Sequence, residues 1–211
     1  MRRVHKVLAT CFFLSVGGDT LAQNVTSDSE CGQNVVDRVA SFYGNLKEYE
    51  DEGSVRTQSG QTYSFETKFT SKDYLEFVYK DDVPSGETDT LRLVVDDGEA
   101  WKFYGKGGVF RKERGKDPYS MLFSFVGLTH GTSLEVPILL LGINNIFSDG
   151  PPPDAIMEDS ANMCMVSFTT AAGRTLVYWI DDTGVIRKYV EETPQGARRE
   201  VVFEDIRFAL K

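Results

Sequence analysis

The chain has 211 residues and a formal net charge of −9 at pH 7, with 32 acidic and 23 basic residues. This length suits one domain with a substantial core. The acidic excess opposes nucleic acids and anionic lipid surfaces as partners, since both repel a negative protein.

The N-terminus has the three parts of a secretory signal. Basic residues precede the apolar run 7–16, and 20–22 form a small-residue cleavage site. The run is half of the roughly 20 residues that a bilayer-spanning helix needs. We therefore expect 1–22 to be a removed signal peptide and 23–211 to be a single domain with no stable membrane span. Removal takes away three basic residues and one acidic residue, which changes the charge from −9 to −11.

Export leaves two cysteines, Cys31 and Cys164, in an oxidising compartment where a disulfide persists. We predict a bridge between them, which would constrain a long loop of the unfolded chain and stabilise the fold by about 2 to 4 kcal/mol. The alternative is two buried thiols that do not meet. Lipid attachment at Cys11 is disfavoured, because the apolar run continues past it.

The first predicted element of the exported domain is an amphipathic helix over 33–46. Val35, Val39, Phe42 and Leu46 recur there at helical spacing. Such a helix has one apolar face, which must pack against another apolar surface of the protein.

After Gly53 the apolar period changes to two, which predicts antiparallel strands joined by short turns. The alternating residues are Tyr63, Phe65, Thr67, Phe69, Leu75, Phe77, Tyr79, Leu91, Leu93, Val95, Trp101 and Phe103. Turn signals stand at 96–98 and 105–108. Charged residues such as Glu66 and Lys80 occupy the other positions, so one face of the sheet meets water and the other must be covered.

A helical insertion interrupts the strands. Asp117-Pro118 predicts a helix start, and Met121, Leu122, Phe125 and Val126 follow at helical spacing. The next apolar segment, 134–147, contains Val136 to Leu141, which is apolar on all sides. It is either a fully buried core element or a mobile lid over an acyl-chain cavity. Pro137, Gly131 and Gly142 would permit such movement and would equally end a static helix.

Strands resume at 163–169, 176–180, 185–191 and 200–206. The order is therefore a helix, about five strands, a helical insertion and about four strands. This order predicts an α+β fold built on one large antiparallel sheet with the helices as its cover. A twisted sheet of this size can leave an apolar cavity under its helices.

Motifs of catalysis and metal binding are missing from the exported part of the sequence. His130 is its single histidine, so multi-histidine metal sites are excluded. We interpret His130 as a loop residue beside Gly131. The glycines of 105–108 lack the context of a phosphate-binding loop. The acidic pairs 96–97 and 181–182 directly precede turn residues, so turn chemistry explains them. We expect no enzymatic activity, no metal and no cofactor.

Three segments carry a family resemblance: VASFYGNLKEY (39–49), VVDDGEAWKFY (94–104) and YWIDDTGVIRK (178–188). Together they resemble the periplasmic lipoprotein-carrier superfamily that includes LolA, LolB and the sensor RseB. The segment LEVPILLL (134–141) is most similar to an uncharacterised exported branch. FTSKDYL (69–75) stands where the carrier has an Arg-Pro pair, so the expected ligand class is wider than lipoproteins.

The resemblance implies a half-open β-barrel whose concave apolar face is covered by helices and accepts acyl chains. We expect the cavity to be lined by Phe65, Phe69, Leu75, Phe77, Leu93, Trp101, Phe103, Leu122, Phe125, Ile138, Leu140, Leu141 and Trp179. The leading hypothesis is a monomeric, non-enzymatic periplasmic protein that binds or carries a lipid, an acylated protein or another acyl-bearing ligand. The alternative is a sensor-like regulatory module that binds an envelope protein.

Overall fold

A computed structural model describes residues 29–70, 74–81, 89–106, 109–115, 117–126, 128–129, 134–142, 155–159, 163–170 and 172–211. The helices are α1 (Ser29–Gly44), α2 (Pro118–Val126) and α3 (Glu135–Leu140). The strands are β1 (Leu46–Thr57), β2 (Thr62–Thr70), β3 (Tyr74–Asp81), β4 (Asp89–Asp96), β5 (Glu99–Lys106), β6 (Val109–Gly115), β7 (Ala155–Asp159), β8 (Met163–Thr169), β9 (Thr175–Ile180), β10 (Ile186–Glu192) and β11 (Arg198–Leu210). The predicted signal peptide, His130, Gly131 and the end of the apolar segment, 143–147, lie outside the described residues.

The strands of the described residues form one antiparallel sheet in the order β6-β5-β4-β3-β2-β1-β11-β10-β9-β8-β7. The neighbours are consecutive in sequence except β1 and β11, whose pairing joins the two halves of the sheet. The sheet is curved and not closed, so β6 and β7 are its edges. The predicted α+β class with one large antiparallel sheet is confirmed. Among the elements described, β1 and β7 are strands that the sequence pattern did not indicate, whereas β6 follows the turn predicted at 105–108.

The period-two alternation places apolar residues on one face and charged residues on the other. In β2, Tyr63, Phe65 and Phe69 are buried while Lys68 is exposed. The charged residues of the outer face form ion pairs, such as Glu66 with Lys80 and Glu76 with Arg92. One face of the sheet therefore meets water, as the pattern predicts.

The two acidic pairs lie in tight turns. Asp97 and Gly98 have φ angles of 47° and 75° between β4 and β5, which is the left-handed backbone of a two-residue hairpin turn. The Asp181 carboxylate accepts hydrogen bonds from the Thr183 and Val185 amides at 3.0 and 2.9 Å. Turn chemistry accounts for both pairs.

The helices pack on the apolar face. α1 begins earlier than predicted and ends at Gly44, and its Phe42 ring meets the Phe208 ring edge-on at 4.9 Å. The start of α2 is as predicted, because the Asp117 carboxylate accepts a hydrogen bond from the Ser120 amide at 2.8 Å. The chain between β6 and β7 carries α2 and α3, so this segment runs from one edge of the sheet to the other.

Candidate functional site

The three helices pack against the same face of the sheet, which we call the covered face. Large apolar side chains of strands in both halves of the sheet line it, and all those that follow are at most 7% exposed. They are Tyr49, Val55, Tyr63, Phe65, Phe69, Leu75, Phe77, Tyr79, Leu93, Val95, Val166, Phe168, Tyr178, Ile180, Tyr189, Val201 and Phe203. The covered face is therefore one apolar surface shared by the two halves of the sheet.

A row of aromatic rings crosses the covered face. It runs through Phe125, Phe77, Phe65, Phe203, Tyr189, Tyr178 and Phe168, with successive ring centroids 5.4 to 6.0 Å apart. Such spacings are typical of favourable aromatic pairs. The row passes over β1 at Gly53, where a Cβ atom would lie 2.2 Å from the Phe65 ring. Glycine at this position lets the rings of β2 and β11 meet across β1.

α3 covers the centre of this row. Its Val136, Pro137, Leu139 and Leu140 are buried. Between α3 and the sheet lies a void lined by Val55, Phe65, Phe77, Leu134, Glu135, Val136, Pro137, Tyr189, Val201 and Phe203. Its volume is about 10 Å³, which is room for about one water molecule. The covered face is thus packed shut under α3 in this structure.

α2 covers the part of the face that belongs to β3, β4 and β5. Phe125 lies edge-on to Phe77, with ring centroids 6.0 Å apart. Lys102 is only 8% exposed on the covered face, and its Nζ donates a hydrogen bond to the Ser124 hydroxyl at 3.1 Å. Sequence reasoning missed Lys102, because a lysine between Trp101 and Phe103 reads as the polar member of the alternation.

Most residues predicted to line a cavity lie together on the covered face or on its helices. Phe65, Phe69, Leu75, Phe77, Leu93, Leu122, Phe125 and Leu140 are buried there, and Ile138 and Leu141 are partly buried against them. Among these residues, Phe65 and Phe77 line the small void. That they bind a ligand stays a prediction.

Three predicted residues lie elsewhere. Trp101, Phe103 and Trp179 are on the outer face, since their strand neighbours Ala100, Lys102, Tyr178 and Ile180 are the buried ones. Basic side chains stack on these rings: Arg114 on Trp101 at 5.3 Å, Arg92 on Phe103 at 5.5 Å and Lys188 on Trp179 at 4.8 Å. Cation–π contacts stabilise aromatic rings at a wet surface, so placing these three residues in the cavity was wrong.

A buried polar cluster lies where α1 meets the covered face. Asp51 is 3% exposed and accepts a hydrogen bond from the Tyr49 hydroxyl at 2.7 Å. Burial raises the pKa of Asp51 to about 6, although hydrogen bonding with Thr67 and Tyr49 acts in the opposite direction. The Tyr43 hydroxyl of α1 accepts a hydrogen bond from the Ile186 amide at 3.3 Å. The cluster fixes α1 to both halves of the sheet.

A second buried carboxylate, Glu191, lies near one end of β10. It is fully buried, and its Oε1 is 2.9 Å from Nη1 of Arg174 while its Oε2 is 3.9 Å from Nη1 of Arg199. Two guanidinium groups thus compensate one buried charge. Arg174 directly precedes β9 and Arg199 lies in β11, and these two strands flank β10.

Glu135 is the charged residue that lines the void under α3. It lies in the first turn of α3 and interacts with the Tyr178 hydroxyl on β9. Burial holds the pKa of Tyr178 well above its ordinary value, and the nearby Glu135 carboxylate raises it further. Glu135 therefore links the start of α3 to the sheet.

Cys164 is disulfide-bonded on β8. Its partner is not among the described side chains, so a bridge to Cys31 stays a prediction, although the backbone of Cys31 belongs to α1. The Arg38 guanidinium of α1 lies 3.2 Å from the Cys164 sulfur. α1 therefore packs directly beside the bonded cysteine.

Within the residues that the structure describes, no group of three or more histidine, cysteine, aspartate or glutamate side chains is arranged to hold a metal ion. None of the described helices is long and apolar enough to cross a membrane.

Neither a protein-family model nor a curated protein matches the sequence. Among solved structures, the chain is similar to a LolA superfamily protein from Nitrosomonas europaea, with a TM-score of 0.38 and 8% identity over 84% of this chain and 93% of that one. It is similar to the MucA/MucB complex of Pseudomonas aeruginosa, with a TM-score of 0.37 and 12% identity over 84% of this chain and 57% of that one. It is also similar to a beta-barrel-like protein of a domain of unknown function from Brucella abortus, with a TM-score of 0.30 and 7% identity over 78% of this chain and 99% of that one. All three likenesses are distant.

Proposed function

We propose that the chain is a periplasmic, non-enzymatic binding or carrier protein that takes up an acyl-bearing ligand between α3 and the covered face. The observation that supports this most directly is the lining of the void under α3, which is apolar apart from Glu135. An acyl chain has no groups that need hydrogen-bond partners, so such a lining suits it. The predicted signal peptide would deliver the protein to a compartment where lipids need carriers.

Burial of methylene groups would supply the affinity. Each buried methylene contributes about 0.8 kcal/mol, so ten of them contribute roughly 8 kcal/mol before the costs of ordering and of opening the site. The aromatic row, from Phe77 through Phe65 and Phe203 to Tyr189, offers a surface of matching character and length across several strands.

The ligand would have to replace α3, because the void holds only about 10 Å³. α3 is suited to such displacement, since it has six residues and its N-cap, Leu134, makes no capping hydrogen bond from its side chain. Short helices without caps depend on tertiary packing for their stability. We therefore assign α3 the role of a lid, with Glu135 and Tyr178 as its polar attachment to the sheet.

Native mass spectrometry and organic extraction of the protein purified from the periplasm form the first test. Co-purifying acyl compounds support the proposal. An empty protein that also fails to bind a dansyl-labelled fatty acid contradicts it.

A pair of variants separates a lid from a static core. Leu140→Ala removes a buried contact of α3 without changing the lining of the void, and it should weaken closure by about 2 kcal/mol. A lid weakened by this amount opens about thirtyfold more often, so binding of the fatty-acid probe should tighten. Ile138→Ala, on the half-buried side of the same helix, should change it little. A static core would show only a lower Tm for Leu140→Ala.

The alternative function is a regulatory module that binds an envelope protein. The observation that favours it is the closed state of the covered face, which leaves no room for a chain of methylenes without movement. Capture of one specific protein from envelope extracts, together with empty lipid extractions, would select this alternative.

A further inference from the structure

One segment at the edge of the sheet has a charge opposite to that of the rest of the chain. Residues 103–116, which contain the second half of β5 and all of β6, hold five basic residues and one acidic residue, a net charge of +4. The buried Lys102 is left out of this sum, and Arg114 forms an ion pair with Glu99 of β5. The whole chain carries −9, so the remainder carries −13. The electrostatic field of the protein is therefore strongly polarised toward this hairpin.

This basic hairpin is also an open edge of the sheet. β6 pairs with β5 along Ala100–Lys106 and Val109–Gly115, and in the described residues it has no second strand neighbour. An edge strand presents a row of backbone N–H and C=O groups that can pair with another extended chain. α2 packs against β4, β5 and β6, so the edge is held in place as a preformed template.

Basic residues on an edge strand also have a protective role, since they discourage pairing between identical edges. That role alone does not account for a net charge of +4 concentrated in one hairpin of an acidic chain. The same residues that repel a second β6 attract an acidic strand.

From the combination of open edge and positive charge we infer that β6 is a docking site for an acidic, extended peptide segment of a partner protein, which pairs with it as an additional strand. Backbone hydrogen bonds to β6 supply affinity, and the basic side chains select acidic sequences. The site lies at the sheet edge and is separate from the void under α3, so peptide binding does not depend on acyl binding.

Two other occupants fit less well. β7, the opposite edge, has the sequence AIMED and could meet β6 of a second copy. Two copies of the same acidic chain repel each other, however, and head-to-tail pairing of edges forms a closed ring only for particular rotations. An anionic bilayer satisfies the charge of the hairpin but offers no hydrogen-bonding strand.

The test uses the whole protein and a blocked seven-residue peptide that alternates glutamate with valine. The inference expects binding that weakens as salt is raised, and slower amide exchange of 109–115 when the peptide is bound. Arg111→Glu combined with Lys112→Glu should weaken binding at least tenfold, while Lys68→Glu, an exposed lysine of β2 on the outer face, should not. The same peptide with alternate amides N-methylated should lose binding, because it can no longer donate to β6.

Four outcomes would overturn the inference. The first is that a peptide with lysine in place of glutamate binds equally well, and the second is that amide exchange of β6 does not change when the peptide is added. The third is that the same residues bind vesicles rich in anionic lipid while the peptide does not bind. The fourth is a salt-sensitive self-association of the protein that is abolished by substitutions in β7.

Discussion

The hydroxyl of Tyr49 donates a hydrogen bond to the carboxylate of Asp51 at 2.7 Å, and both side chains are buried beneath α1. A buried carboxylate with few compensating partners is easier to protonate in the folded chain than in the unfolded chain. The pKa of Asp51 is accordingly raised from 3.8 to about 6.

The raised pKa of Asp51 predicts how stability depends on pH. The folded state binds more protons than the unfolded state between pH 4 and 6, so this residue makes the free energy of unfolding greatest below pH 4. Its contribution declines as pH rises through 6, by up to about 3 kcal/mol. Asp51→Asn should therefore be more stable than the parent at pH 8 and similar to it at pH 4. Urea unfolding at five pH values checks this, with the exposed Asp37→Asn as control; parallel curves for parent and Asp51→Asn would refute it.

Glu191 is a fully buried carboxylate that pairs with two partly exposed arginines. Removal of its charge in Glu191→Gln should leave Arg174 and Arg199 without their shared partner and lower the free energy of unfolding by about 2 kcal/mol. Glu200→Gln is the matched control, because Glu200 pairs with Lys188 at the surface and such pairs contribute less than about 1 kcal/mol. Urea titration of the three proteins compares them, and equal losses would contradict a special role for the buried carboxylate.

Gly53 marks the point where the aromatic row crosses β1. In Gly53→Ala the new methyl group would lie 2.2 Å from the Phe65 ring and 2.4 Å from the Val202 carbonyl oxygen. The backbone oxygen cannot move aside cheaply, so we expect a loss of about 2 kcal/mol or more. Gly44→Ala, where a Cβ meets nothing within 4 Å, should change stability little. Thermal unfolding distinguishes the two variants. A Tm for Gly53→Ala equal to that of Gly44→Ala would show that the rings of the aromatic row can move apart at β1 without loss of stability.

The predicted bridge between Cys31 and Cys164 is tested by mass spectrometry of the exported protein. We expect an intact mass that corresponds to cleavage after Ala22 and a proteolytic fragment that joins the two cysteines. Reduction, or Cys31→Ser, should lower the free energy of unfolding by about 2 to 4 kcal/mol. A free thiol at Cys31 in the native protein would disprove the bridge.

The sequence pattern was sufficient where a strand alternates strictly. β2, β3 and β9 show this, because each has apolar residues on one face and polar or half-exposed residues on the other. The start of α2 was equally accessible, since Asp117 followed by Pro118 is a local signal that needs no tertiary information.

The pattern failed where tertiary partners override local character. β1 contains four acidic residues between Glu48 and Glu52, and one of them, Asp51, is buried because Tyr49 and Thr67 lie beside it. The two faces of β5 were interchanged in the prediction. Trp101 and Phe103 are large and apolar, so they were assigned to the covered face, which in fact contains the small Ala100. Stacked arginines, which no local pattern shows, keep those rings on the outer face.

The segment that carries α2 and α3 is anchored at both ends, to opposite edges of the same sheet. A cover fixed in this way can rise off the sheet like a strap, but it cannot swing away on a single hinge. Under the proposed function, the length of this segment would limit the thickness of the ligand that fits beneath it. Flattening the sheet would move β6 and β7 apart and tighten the strap, whereas stronger curvature would loosen it.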